Sequence, residues 1–95
     1  MGGWVYILTN KPNGTLYIGV TSKIGERIAQ HRSKAVAGFT RDHGLERLVY
    51  LEAHDRIEDA IAREKALKHW RRAWKVRLIQ SVNPDWRDLA NDINV

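Results

Sequence analysis

A turn signal, Lys11-Pro12-Asn13-Gly14, sits between two short runs rich in aromatic and β-branched residues, and this pairing constrains the fold more than any other feature. Proline presets the backbone for a turn, and Asn-Gly tolerates left-handed geometry. Residues 4–9 and 15–21 therefore predict two antiparallel strands joined by a loop of four or five residues. Side chains alternate along a strand, so Trp4, Tyr6 and Leu8 share one face of the first strand, with Val5 and Ile7 on the other. On the second strand Tyr17, Gly19 and Thr21 alternate with Leu16, Ile18 and Val20.

The rest of the chain reads as one further strand and three helices. Ser22 or Thr21 is placed to cap a helix over residues 23–35, in which Arg27 and His31 are four apart and share a face. A polar loop over residues 38–44 carries Arg41, Asp42 and His43. Residues 45–54 alternate as a third strand. Asp55 is placed to cap a second helix running to about residue 70, and a third helix spans residues 72–82. Asn83-Pro84 stops it, because the residue before proline is pushed out of the helical region. The order β-β-α-β-α-α predicts an α+β fold, a three-stranded antiparallel sheet flanked by helices. With 95 residues, the expectation is a single domain over residues 1–95.

Composition closes off several chemistries. The absence of cysteine excludes disulfides, iron–sulfur clusters, thiol nucleophiles and thiolate zinc sites. The four histidines match no zinc spacing, and no phosphate-binding loop, dinucleotide fingerprint or nucleophile elbow is present. The start MGGWVYILTN is too short and mixed for a signal peptide, and no long apolar run exists. The expectation is a cytoplasmic protein without membrane association. The net charge of +5 is unevenly placed: residues 23–41 carry +4, residues 63–77 carry +6, and the remainder carries −5. Two basic segments on an otherwise acidic chain point to a polyanionic partner, against the alternative of solvated helix faces.

Two features break local rules. Glu64 falls on the apolar stripe of the second helix, in line with Ile57, Ala60, Ile61 and Leu67. A carboxylate facing a core is costly unless it is paired or coordinated. Glu64 is therefore at the edge of the stripe, bonded to a nearby arginine, or a metal ligand, with the ion pair the commoner case. Gly19 follows Tyr17 on the same strand face, and a strand glycine often marks close approach by a ligand or another backbone. Tyr6, Tyr17 and that gap form a candidate floor for a site.

Val5-Tyr6-Ile7 followed by Tyr17-Ile18-Gly19 resembles the paired motif of the GIY-YIG nuclease superfamily. Arg27, ten residues after Tyr17, stands at the position of that family's arginine. His31 matches a position held by tyrosine or histidine, Glu64 the metal-binding glutamate, and Asn83 the asparagine near the end of the domain. The likeness runs from about residue 4 to residue 89 and is nearest to the small stand-alone bacterial branch. Trp4-Val5-Tyr6 departs from the usual glycine and isoleucine of the first triplet, and Val20 replaces a lysine found in some relatives.

The resemblance implies a magnesium- or manganese-dependent endonuclease hydrolysing phosphodiester bonds in DNA, single-stranded or branched DNA included. It makes Glu64 the single protein ligand of a hard divalent cation that stabilises the leaving oxygen. Tyr6 would accept the proton of the attacking water with help from His31 or Tyr17, through a lowered pKa or a relayed proton. Arg27 would grip the scissile phosphate, Gly19 would admit the substrate backbone, and Asn83 would orient the metal shell or the first helix. Lys68, Arg71, Arg72 and Lys75 recur at helical spacing and would track phosphates. Trp70 and Trp74, four apart, would stack a base or, as is commoner at that spacing, pack a core. A non-catalytic nucleic-acid-binding module is the alternative, and a protein-interaction domain ranks third. Specificity would come from a protein partner or from substrate shape.

Overall fold

A computed structural model of the chain describes residues 2–33 and 43–93. Strands β1 (Gly3–Thr9) and β2 (Leu16–Thr21), helix α1 (Ile24–Arg32), strand β3 (Arg47–His54) and helices α2 (Ile57–Lys68) and α3 (Arg72–Val82) follow the predicted β-β-α-β-α-α order. A short 3-10 turn, Leu89–Asp92, comes after them. The sheet order is β2-β1-β3, and both pairings are antiparallel.

The middle strand explains the layering. Val5, Tyr6, Ile7, Leu8 and Thr9 are all buried, as a strand covered on both faces requires. On one face Val5, Ile7 and Ile18 join Ala60 and Leu67 of α2 and Ile79 of α3. On the other, Tyr6, Leu8 and Leu48 pack with Ile24 and Ile28 of α1, and Leu89 and Ile93 lie against them. The alternation expected along β1 thus sorts its side chains between two cores. Truncating a fully buried residue such as Leu67 to alanine costs about 2–5 kcal/mol. Between β1 and β3 the register shifts after Ile7, which pairs with Tyr50 while Leu8 pairs with Leu48. The extra residue, Val49, lets neighbouring Val49 and Tyr50 belong to one core.

Several boundaries differ from the sequence expectation. The hairpin loop spans six residues rather than four or five. Gly14 N–H donates to Lys11 O at 2.9 Å, Thr15 N–H donates to Asn10 Oδ1 at 3.1 Å, and Asn13 takes φ 58°. Neither Ser22 nor Thr21 is the cap of α1. Lys23 holds that place, and its N–H donates to Thr21 Oγ1 at 3.0 Å. The predicted end of that helix at residue 35, and most of the loop over residues 38–44, lie outside the described residues. The third strand begins at Arg47, leaving Leu45 buried but off the sheet. Arg56 rather than Asp55 precedes α2, which ends at Lys68. Helix α3 has the predicted bounds.

Candidate functional site

The site is built on the β1–β2 pair. Tyr6 stands opposite Gly19 in the antiparallel register. A Cβ on Gly19 would fall inside contact distance of Tyr6 Cζ and Oη. The close approach that Gly19 permits is therefore made by the Tyr6 ring, rather than by a substrate backbone as expected. Tyr17 lies two residues earlier on β2, with ring centroids 6.4 Å apart.

Helix α1 delivers the third ring. Ile24, Ile28 and His31 fall on one helical stripe, and the two isoleucines pack against the sheet. His31 is carried inward with them and is only 4% exposed. A buried imidazole needs a hydrogen-bond partner, and Tyr6 Oη lies 3.2 Å from its Nε2. The ring centroids of His31 lie 5.8 Å from those of both Tyr6 and Tyr17.

Charge around this cluster is arranged in opposition. Burial lowers the pKa of His31, and the Arg27 guanidinium lowers it further. His31 is therefore neutral at pH 7. Burial pushes the Tyr6 phenol well above its ordinary value, with Tyr17 and Glu64 acting in the same direction and Arg27 against them. Arg27 and Glu64 thus bias the Tyr6 hydroxyl in opposite directions from two different helices. The structure brings the rings of Tyr6, Tyr17 and His31 into contact, with the charges of Arg27 and Glu64 acting on Tyr6.

Helix α2 packs on the Val5 and Ile7 face of the sheet, opposite Tyr6, and Glu64 acts on Tyr6 from there through its charge. Its side chain is only 12% exposed, and its Oε2 lies 2.7 Å from Lys68 Nζ, one helical turn away. The stripe residue that faces solvent is Ile61, at 38% exposure. The ion-pair partner of Glu64 is thus a lysine, not an arginine. Lys68 is half exposed. A hard divalent cation with water in most of its coordination sphere fits a site of this kind, where one carboxylate supplies the protein ligand. Among the described residues no cluster of three His, Cys, Asp or Glu side chains offers a richer metal set.

Other expected site residues are engaged elsewhere. Asn83 is buried, and its amide donates to Val49 O at 3.1 Å and Arg87 O at 2.8 Å. Its Oδ1 accepts from Arg87 N–H at 3.0 Å. Both ends of that amide fasten the C-terminal turn to β3. Arg72 donates to the hairpin carbonyls of Asn13 and Gly14 at 2.8 and 2.6 Å. Lys75 Nζ donates to Lys68 O at 3.3 Å, and Arg71 lies 5.5 Å from the centroid of the Trp74 ring. The proposed phosphate-tracking residues thus have partners within the chain. Trp70 packs against the core, whereas Trp74 is 46% exposed.

One polar group escaped the sequence reading. Tyr50, Glu52 and His54 alternate on β3, a spacing that puts three polar side chains on one strand face. Tyr50 Oη donates to Glu52 Oε2 at 2.6 Å, and His54 Nε2 lies 2.6 Å from Oε1. Arg63 Nε, on α2, donates to both oxygens at 3.1 and 3.3 Å. Burial alone would raise the Glu52 pKa, but hydrogen bonds from Tyr50, His54 and Arg63 outweigh it and hold the carboxyl below its usual value.

Comparison with known proteins bears on this geometry. The family model of the GIY-YIG catalytic domain matches residues 2–77. A UPF0213 protein of Clostridium perfringens is 34% identical over 92 residues, covering 97% of this chain and 98% of its own. Another, from Halalkalibacterium halodurans, is 38% identical over 79 residues and covers 83% of each chain. The solution NMR structure of a UPF0213 protein from Bacillus halodurans superposes with a TM-score of 0.59 at 33% identity, covering 93% of both chains.

Proposed function

This chain belongs to the GIY-YIG nuclease family, and from that premise we propose that it is a divalent-metal-dependent endonuclease hydrolysing phosphodiester bonds in DNA. The observation that carries this reading is the hydrogen bond between Tyr6 and the buried His31, with the charges of Arg27 and Glu64 acting on Tyr6. A phenol whose pKa is raised is a poor base by itself. Its own proton must leave as it takes one up. With His31 as the Nδ1–H tautomer, Tyr6 Oη donates to Nε2. The attacking water passes its proton to Tyr6 as the phenolic proton moves to His31.

Arg27 supplies a permanent charge and a planar fork suited to two phosphate oxygens. That same cation keeps His31 neutral and open to a proton, while disfavouring the imidazolium that the transfer forms. Tyr17 packs beside both relay rings. Glu64 would hold magnesium or manganese once Lys68 swings away, and the bound cation would stabilise charge on the leaving oxygen.

The test is cleavage of duplex, single-stranded and branched DNA with magnesium, manganese or EDTA, alongside Glu64→Gln and Arg27→Ala. Cleavage should require metal and vanish in Glu64→Gln. Loss of Arg27 should reduce the rate about 10²–10³-fold, as for removal of one preorganised anion donor. Undiminished cleavage in both variants would remove the site. Binding without cleavage under every metal condition would support a nucleic-acid-binding module instead.

A further inference from the structure

A groove of about 370 Å³ on the outer side of α3 is lined by Trp70, Trp74, Arg77, Leu78 and Ser81. It is not part of the Tyr6 cluster. Its walls are apolar, no carboxylate lines it, and its chemistry is that of aromatic rings beside guanidinium groups. Trp70 and Trp74 meet edge to face at 6.1 Å. Arg63 lies 5.1 Å from the Trp70 ring centroid and Arg71 lies 5.5 Å from that of Trp74. Trp70 is anchored against the core, which holds the edge-to-face pair in place and leaves Trp74 the more exposed ring.

The surrounding charge selects the occupant. Residues 63–77 carry a net +6, so a second copy would set like charge against like. An apolar peptide would fill the groove and leave Arg71 and Arg77 without an anion. An unpaired nucleotide satisfies both requirements, offering a π-face to tryptophan and a phosphate to arginine. The groove is also linked to the candidate site: Lys75, the residue after Trp74, bonds Lys68 O, and Lys68 pairs with Glu64.

We propose that this groove holds an unpaired base of a single DNA strand, stacked on Trp74, with Arg71 and Arg77 on the adjoining phosphates. The proposal rests on the reading of the protein as a DNA-cutting enzyme and names the form of DNA it grips. A duplex keeps its bases stacked internally and gains nothing from the groove.

The test measures anisotropy of labelled oligothymidine, an abasic strand of equal length and a duplex, in EDTA, with the wild type, Trp74→Ala and Trp74→Phe. The wild type should bind oligothymidine about tenfold more tightly than the abasic strand. Trp74→Ala should abolish that preference, Trp74→Phe should recover most of it, and duplex binding should not change. Equal binding of oligothymidine and abasic strand, or a preference untouched by Trp74→Ala, overturns the proposal. So does a dimer in sedimentation velocity that Trp74→Ala dissociates, which would place a second copy in the groove. Separate cleavage assays with metal divide the two readings. Glu64-dependent cleavage with Trp74-independent binding removes the groove alone, while a Trp74-dependent preference without cleavage keeps the groove and removes the enzyme.

Discussion

Tyr6–His31 and Tyr50–His54 both combine a strand tyrosine with a histidine, yet they differ in what completes them. The second pair shares the Glu52 carboxylate, which also receives Arg63, so every donor points at one acceptor. The first pair has no carboxylate between its members. Tyr6 bonds His31 directly, while the charges of Glu64 and Arg27 bias Tyr6 in opposite directions. A charge-saturated network of the Glu52 kind ties β3 to α2. The Tyr6 pair sets a ring nitrogen 3.2 Å from a hydroxyl, the arrangement the proposed proton relay needs. Identical residue types thus give a clasp in one place and, in the proposed mechanism, a relay in another.

The sharpest way to break this comparison is to remove one hydroxyl from each. Tyr6→Phe should slow DNA cleavage about 10²–10⁴-fold, the usual worth of a positioned base, while Tyr50→Phe should leave the rate within a few fold. Equal losses in both would erase the distinction. Gly19→Ala comes next. The added methyl displaces the Tyr6 ring, and an ångström of misplacement lowers the rate about a hundredfold. A rate unchanged from wild type would mean that the ring position does not matter.

Stability measurements address the clasp. Glu52→Ala leaves Tyr50, His54 and Arg63 without their common acceptor and should cost about 1–3 kcal/mol by urea denaturation, more than Tyr50→Phe at about 1 kcal/mol. The two regions should also separate by pH. Glu52 has a lowered carboxyl pKa when folded, so its stabilisation is complete above 4.5 and is lost as pH falls through the folded value. His31 is held neutral by the fold, so its penalty for protonation begins below 6.5. On acidification the relay should weaken first and the clasp later. The smallest effect is the His31 ring titration itself. Its NMR midpoint should lie below 6.5 and move upward in Arg27→Gln, and a midpoint unaffected by Arg27 would detach that cation from the relay.

Local signals carried much of this molecule. The Lys11-Pro12-Asn13-Gly14 turn and flanking β-rich runs located the hairpin, and Asn83-Pro84 located the end of α3. Period-two and period-3.6 placement put Tyr6 with Tyr17 and Arg27 with His31, because those relations lie within an element or across one turn. What could not be read were choices among partners far apart in the chain. Glu64 was on a stripe whether it met arginine, lysine or metal, and Lys68 was one turn away but counted as a phosphate ligand. Asn83 looked the same as a helix stop or as a site amide until Val49 and Arg87 were beside it. Gly19 marked a close approach, but only the register showed that Tyr6 makes it. The Tyr50-Glu52-His54 alternation was visible in principle. Its meaning depended on Arg63, eleven residues beyond Glu52 on another element.

Tyr6 also sits on β1, the strand hydrogen-bonded on both edges within the sheet. Its backbone amide belongs to the segment that exchanges last, since opening it requires parting both neighbours. Heat inactivation should therefore coincide with global unfolding, with no milder transition in which the hydroxyl is lost while the sheet survives.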